Sequence, residues 1–298
     1  MLTVVTKSPS GQNYDSNSAD ASDNITLLAL IQRWPLRTRN SLFERAMYQA
    51  DRLHAFAAES DSLAVVTSSE ELKQVLKSRE DGSKLIAGLL GTEGSHALDG
   101  DLDNMRRLYD AGFRMMSLQH FFDNKLGGSL HGESNAGLTE FGREAVRLMD
   151  SMGIMIDVSH SSPQVVDDVL NLIDSPLIVS HTGFKGHCDR KRNISDDLIM
   201  RIAERGGLMG VGFWSEAVCG TDVTAIADAI AYGVETFGVK AVALGSDWDG
   251  AVTTPIAAND LAYLTSALLK RGLSEDDIRA VMGGNTVRYF LEHLPATD

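Results

Sequence analysis

Residues 85–120 read LIAGLLGTEGSHALDGDLDNMRRLYDAGFRMMSLQH, and their pattern decides the fold. Residues 85–90 form a continuous apolar run that leads into Gly91, Thr92 and Glu93; a polar segment follows, and a second apolar run, 113–118, leads into Gln119 and His120. Runs this apolar are buried on both faces, the condition of strands in a parallel sheet covered by helices. The unit recurs along the chain. Residues 153–158 lead into Ser159 and His160, residues 176–179 into Ser180 and His181, and residues 241–244 into GSDWDG with Asp247 and Asp249, while 208–213 ends without such a residue. With residues 2–6 as a further strand, seven strands alternate with segments of helical periodicity. The expected class is α/β, a (β/α)8 TIM-barrel-like fold, in which the C-terminal strand ends share one face and build the site.

Length and composition agree with this. The chain has 298 residues, and barrels of this kind occupy roughly 200 to 250 residues or more as one domain, so 1–298 is expected to be a single domain. Residues 8–24, SPSGQNYDSNSADASDN, are polar and aperiodic and read as a flexible insertion. Apolar side chains at Leu42, Ala46, Ala50, Leu53 and Phe56 predict an amphipathic helix over 41–59. With 27 basic against 41 acidic residues the formal charge is −14, which repels phosphate backbones and anionic lipid surfaces; no nucleic-acid or membrane partner is expected. No stretch approaches the ~20 apolar residues of a membrane span, and residues 1–7 are too short and weakly charged for a secretory signal. Cys188 and Cys219 are the only cysteines and form no CxxC pair. They are expected to be reduced thiols in a cytoplasmic protein.

Two imidazoles at matching strand ends, His160 and His181, with a carboxylate at a third, Glu93, and another at a fourth, Asp247, make a nitrogen/oxygen ligand set suited to zinc or a similar divalent cation. A carboxylate can bridge two ions roughly 3.5 to 4 Å apart, which together activate water and polarise a carbonyl. That is hydrolytic chemistry. Taken singly, each residue has a plainer role, a histidine capping a loop or a buried glutamate pairing with an arginine; the joint pattern carries the reading. Asp249 shares strand parity with Asp247 and competes for its role. His96 and His187 are placed off the strand ends, in supporting or loop roles. Met115, Met116, Met149, Met152 and Met155 read as core. Ser274, Glu275, Asp276 and Asp277 read as the cap and first turn of a helix.

These stretches, with GLTEFGREAVRLMDSMGIMIDVSH (137–160), PLIVSHTGFKGHCDRKRNISDDLI (176–199), LGSDWDG (244–250) and GGNTVRYF (283–290), resemble the renal or membrane dipeptidase family, zinc peptidases of the amidohydrolase superfamily. The resemblance covers about residues 85–293 closely. It implies two zinc ions bridged by Glu93, with His160 and His181 completing one site. Asp247 would bind the other ion and shuttle a proton between water and the leaving amine. His120 would contact the substrate and stabilise the oxyanion, and Arg192 would pair with the carboxylate of a dipeptide, a task suited to a guanidinium fork.

The sequence departs from the family in one respect. Members begin with a strand ending in a His-x-Asp pair that supplies two further ligands; the only such triplet here, His187-Cys188-Asp189, follows His181 and is not that pair. The expectation is therefore a barrel lacking its first strand, a fragment of a longer reading frame, with one ion weakly bound or absent and open edges that would favour a homodimer. Two further functions stay open: a related amidohydrolase acting on another small amide or lactone, and an inactive homologue with a binding or structural role.

Overall fold

The computed structural model describes residues 2–3, 25–250 and 252–297. The insertion expected at 8–24 and the end of the strand expected at 2–6 lie outside them. The chain divides into two compact units, Met1–Ile173 with Phe290–Asp298, and Asp174–Tyr289.

In the first unit the strands are β1 (Leu2–Thr3), β2 (Leu63–Val65), β3 (Ile86–Gly88), β4 (Leu90–Glu93), β5 (Phe113–Ser117) and β6 (Met155–Asp157). β1, β4, β5 and β6 pair in parallel in that order, with Thr3 opposite Glu93 and Ser117 opposite Asp157. The apolar run at 85–90 is not one strand. Its first half, β3, pairs with β2 in a separate parallel ribbon, and the chain continues at Leu90 to pair with Phe113. The division is visible in burial: Ile86 is exposed, whereas Leu90 is in the core. A register shift between Leu90 and Gly91 sets the alignment that continues to Thr92, opposite Met116.

Local chemistry explains the helices between. The 41–59 segment is a helix over Leu42–Ala58, begun by the Ser41 hydroxyl accepting the Glu44 N–H. Ser68 and Glu71 form a reciprocal capping box at the start of Ser69–Glu80. Thr139 caps Glu140–Ser151, and Ser162 with Pro163 opens Pro163–Leu172. Met115, Met116, Met149 and Met155 are buried, as expected of core residues, whereas Met152 is half-buried at the C-terminal end of Glu140–Ser151.

The second unit holds β7 (Ile178–Thr182), β8 (Leu208–Val211) and β9 (Val242–Leu244), parallel and adjacent in that order. Helices Asp196–Glu204 and Val223–Phe237 follow β7 and β8, the latter helix with Asp222 accepting the Ala225 N–H at its start. Ser274 caps Glu275–Arg279, as its sequence predicts. In this unit β7 and β8 are each followed by a helix, the α/β alternation read from the sequence.

Asn285 fixes the end of this unit. Buried, it donates from Nδ2 to the carbonyls of Val239 (2.7 Å) and Val242 (2.8 Å), the latter the first residue of β9. Replacing it by alanine leaves both carbonyls without this donor, and a buried unsatisfied polar group costs about 1–3 kcal/mol. Asn285→Ala should lower the urea midpoint accordingly without changing the slope of the transition; an unchanged midpoint would show that the two carbonyls find other donors.

Candidate metal centre

Glu93 closes β4 and is 8% exposed. Its Oε1 lies 3.1 Å from His160 Nε2 and 3.7 Å from His120 Nε2. The His120 and His160 rings meet edge to face, centroids 4.7 Å apart. The aim of His160 comes from the turn after β6. Asp157, buried at the strand end, accepts from the Ser159 N–H (3.0 Å) and hydroxyl (2.6 Å), and the Leu130 N–H donates to the His160 carbonyl (2.7 Å). Ser161 donates to the Gln119 side chain at 2.7 Å, joining the turns that carry His160 and His120.

The segment after His120 is built around Asp123. Its carboxylate accepts the N–H groups of Ser129 (2.7 Å), Glu133 (3.0 Å) and Ser134 (2.9 Å). A Cβ on Gly132 would run into that carboxylate, so the loop needs glycine there. Ser129 in turn donates to the His120 carbonyl. This loop delivers His131, whose ring lies 5.3 Å from His160 and 5.0 Å from Phe121. Sequence reasoning missed His131, because it stands in a polar, glycine-rich loop with no apolar run in front of it.

His96, assigned a supporting or loop role from sequence, sits in the turn Ser95–Leu98, buried, its ring edge-on to Phe122. Burial, and secondarily the charge of His120, lower its pKa from 6.5 to about 3. The sign follows. Below pH 6.5 the unfolded chain takes up a proton that native His96 refuses until about pH 3, so stability is lost as pH falls through that window.

In the second unit, His181 is buried in β7, and its Nδ1 lies 2.8 Å from the Ser180 hydroxyl. Arg192 donates from Nη2 to the His181 carbonyl (2.8 Å), and its guanidinium lies over the Trp214 ring, 5.3 Å from the centroid. Asp247 follows β9 in a left-handed conformation (φ 57°), half-buried, with its carboxylate against Gly250. Asp249 is exposed.

Within the first unit, Glu93 and His160 bring a carboxylate and an imidazole to one point, each able to ligate a metal ion; His181 and Asp247, the other two ligands expected from the sequence, belong to the second unit. One carboxylate and two imidazoles fit a borderline cation such as zinc, which takes three protein ligands in catalytic sites and keeps a position open.

The cysteines correct the sequence reading. Cys188 and Cys219 are not separate thiols but a disulfide, their Cα atoms 5.5 Å apart. The cytoplasmic expectation rested on reduced thiols and loses that support. No described helix is long and apolar enough to cross a membrane.

Parallel strands whose ends carry a carboxylate and imidazoles, alternating with helices, form an α/β architecture suited to a metal site. The chain belongs to the membrane dipeptidase family, peptidase family M19, which matches residues 20–294. It is 30% identical over 257 residues to Dipeptidase 3 of Homo sapiens, covering 82% of this chain and 51% of that protein. It is 33% identical over 221 residues to Dipeptidase aclJ of Aspergillus oryzae, covering 70% and 52%. The chain therefore spans about half the length of these relatives. Its fold is also that of a Rhodobacter sphaeroides metallo peptidase solved with a phosphinate mimic of the dipeptide L-Ala-D-Ala, with a TM-score of 0.74, 24% identity, and coverage of 85% of this chain and 75% of that one.

The His96 assignment is checked by thermal melts of the metal-free protein between pH 7 and pH 4. The wild-type Tm should fall across this range, and the fall should be shallower in His96→Leu; equal declines would remove His96 as a source of acid sensitivity.

Proposed function

We propose that this chain is a zinc-dependent dipeptidase, with one ion held by Glu93, His160 and His181. The observation that carries the reading is the buried Glu93 carboxylate with two imidazole nitrogens on one of its oxygens. The family, the dipeptidase relatives and the dipeptide mimic bound by the Rhodobacter protein support a dipeptide as substrate. When bound, the ion supplies Lewis acidity toward a carbonyl and a water acidified to near-neutral pKa.

The remaining steps fall to side chains. His120, 3.7 Å from Glu93 Oε1, presents an N–H toward the reacting carbonyl and stabilises charge developing on its oxygen. Asp247 accepts a proton from the attacking water and returns it to the departing amine. Its backbone is left-handed (φ 57°) just beyond β9, a conformation uncommon for a residue with a side chain and of the kind that gathers at functional sites. Arg192 takes the free carboxylate of the dipeptide. Its guanidinium is buried and braced at one nitrogen by the His181 carbonyl and on one face by Trp214, which orients the fork. That arrangement selects substrates with a free C-terminus next to the scissile bond.

The test is hydrolysis of an unmodified dipeptide beside zinc analysis. The purified protein should carry stoichiometric zinc and lose activity to a chelator, and added zinc should restore it. His160→Ala should lose the zinc and at least about a hundredfold in kcat/KM; activity that persists in the metal-free protein would refute the proposal. Arg192→Met should weaken kcat/KM for a dipeptide by about 30-fold or more, the loss expected when one partner of a buried charge pair is removed. The corresponding C-terminal amide should be unaffected.

A further inference from the structure

We infer that the Cys188–Cys219 disulfide is a positioning element for Arg192, and through it sets the affinity for the substrate carboxylate; the inference rests on the role just proposed for that arginine. Arg192 lies in the loop between β7 and the Asp196–Glu204 helix. The loop is closed at its base by backbone pairing of Phe184 with Ile194, with the Lys185 N–H donating to the Ile194 carbonyl (3.0 Å) and the Ile194 N–H to Gly183 (3.3 Å). Inside the loop the chain turns on itself: the Cys188 N–H bonds to Phe184, the Arg190 N–H to Cys188 and the Asn193 N–H to Arg190, at 2.8 to 3.1 Å. These local bonds give the loop a shape but not a direction.

Direction comes from the segment after β8. Trp214, on whose ring the guanidinium lies, immediately precedes the short helix Ser215–Val218, and Cys219 immediately follows it. That segment is joined to the Arg192 loop at three points. Gly183 approaches the Ala217 carbonyl so closely that a Cβ would collide with it. Asn193 donates from Nδ2 to both the Cys188 (2.8 Å) and Ala217 (3.0 Å) carbonyls. The third is the covalent bond, which holds the loop at Cys188, four residues before Arg192. The platform under the guanidinium and the loop that carries it are therefore tied covalently as well as by the Asn193 amide, and only the covalent tie resists thermal fluctuation of the loop.

Cys188 is buried, whereas Cys219 is exposed and lines a depression of about 380 Å³ with Arg190, Ser215, Glu216, Gly220 and Thr221. A dithiol can reach the bond there. Its thiolate attacks one sulfur and releases the other cysteine as thiolate. Its second thiol then displaces the mixed disulfide, so the dithiol becomes a cyclic disulfide while both cysteines take up protons as thiols.

The experiment compares three forms of the full chain: oxidised, reduced with dithiothreitol that is then removed without air, and Cys188→Ser/Cys219→Ser. Each is assayed with a dipeptide and with its C-terminal amide, alongside zinc content and hydrogen exchange of the 184–194 peptide. Loss of the bond should raise KM for the free acid about tenfold with kcat within about twofold, leave KM for the amide and the zinc content unchanged, and speed exchange in 184–194. If Arg192→Met shifts the acid-to-amide ratio but breaking the disulfide shifts neither that ratio nor the exchange, the bond is only structural and the inference is overturned while the proposed function stands. If Arg192→Met itself leaves the ratio unmoved, the carboxylate role of Arg192 falls and the inference falls with it.

Discussion

A carboxylate removed from water needs donors or cations to replace the hydration it loses, and an isolated one costs several kcal/mol. Glu93 is that carboxylate here. It lies at the end of a wholly buried strand, and two imidazole nitrogens approach the same oxygen. Much of the first unit answers to it. The register shift at Leu90 and Gly91 sets the phase in which β4 reaches Glu93, Asp157 shapes the turn that presents His160, and Ser161 and Gln119 keep the two histidine-bearing turns together. A cation held at Glu93 and His160 would turn this concentration of acceptor atoms from a burden into a binding site.

Much of this was legible in the sequence, because two strong signals coincide. Apolar runs of strand length are visible without any tertiary information, and a polar residue at the end of such a run must face whatever lies beyond the strand. Glu93, His160 and His181 each satisfy both conditions, and within the first unit Glu93 and His160 meet at 3.1 Å. The helix at Leu42–Ala58 was readable from the spacing of its apolar side chains and that at Glu275–Arg279 from its Ser274 cap, both signals local in sequence.

What stayed hidden depends on partners distant in sequence. The split of 85–90 into β3 and β4 is decided by which neighbour each half pairs with, and β2, a three-residue strand with no polar terminus, left too short a trace to notice. The disulfide joins residues 31 apart on either side of β8. No spacing rule links two isolated cysteines, and only the proximity of the loops that follow β7 and β8 makes them a pair. His131 was out of reach for the same reason: its place beside His160 is the work of a loop fold organised by Asp123.

That loop has a consequence for how the protein can change. Its course is dictated by one acidic side chain reading three main-chain amides and by a glycine that must remain small. Main-chain amides are present whatever the side chains, so the solvent-facing Glu133 and Ala136 can change without disturbing the path, whereas Asn135 is held in a left-handed conformation (φ 48°) and the Ser134 hydroxyl accepts the Ala136 N–H. Mutation can therefore recolour the charge and bulk of this rim while the imidazoles behind it stay where they are. Diversity among family members should accumulate on such a decorated edge, with Asp123 and Gly132 as its fixed points.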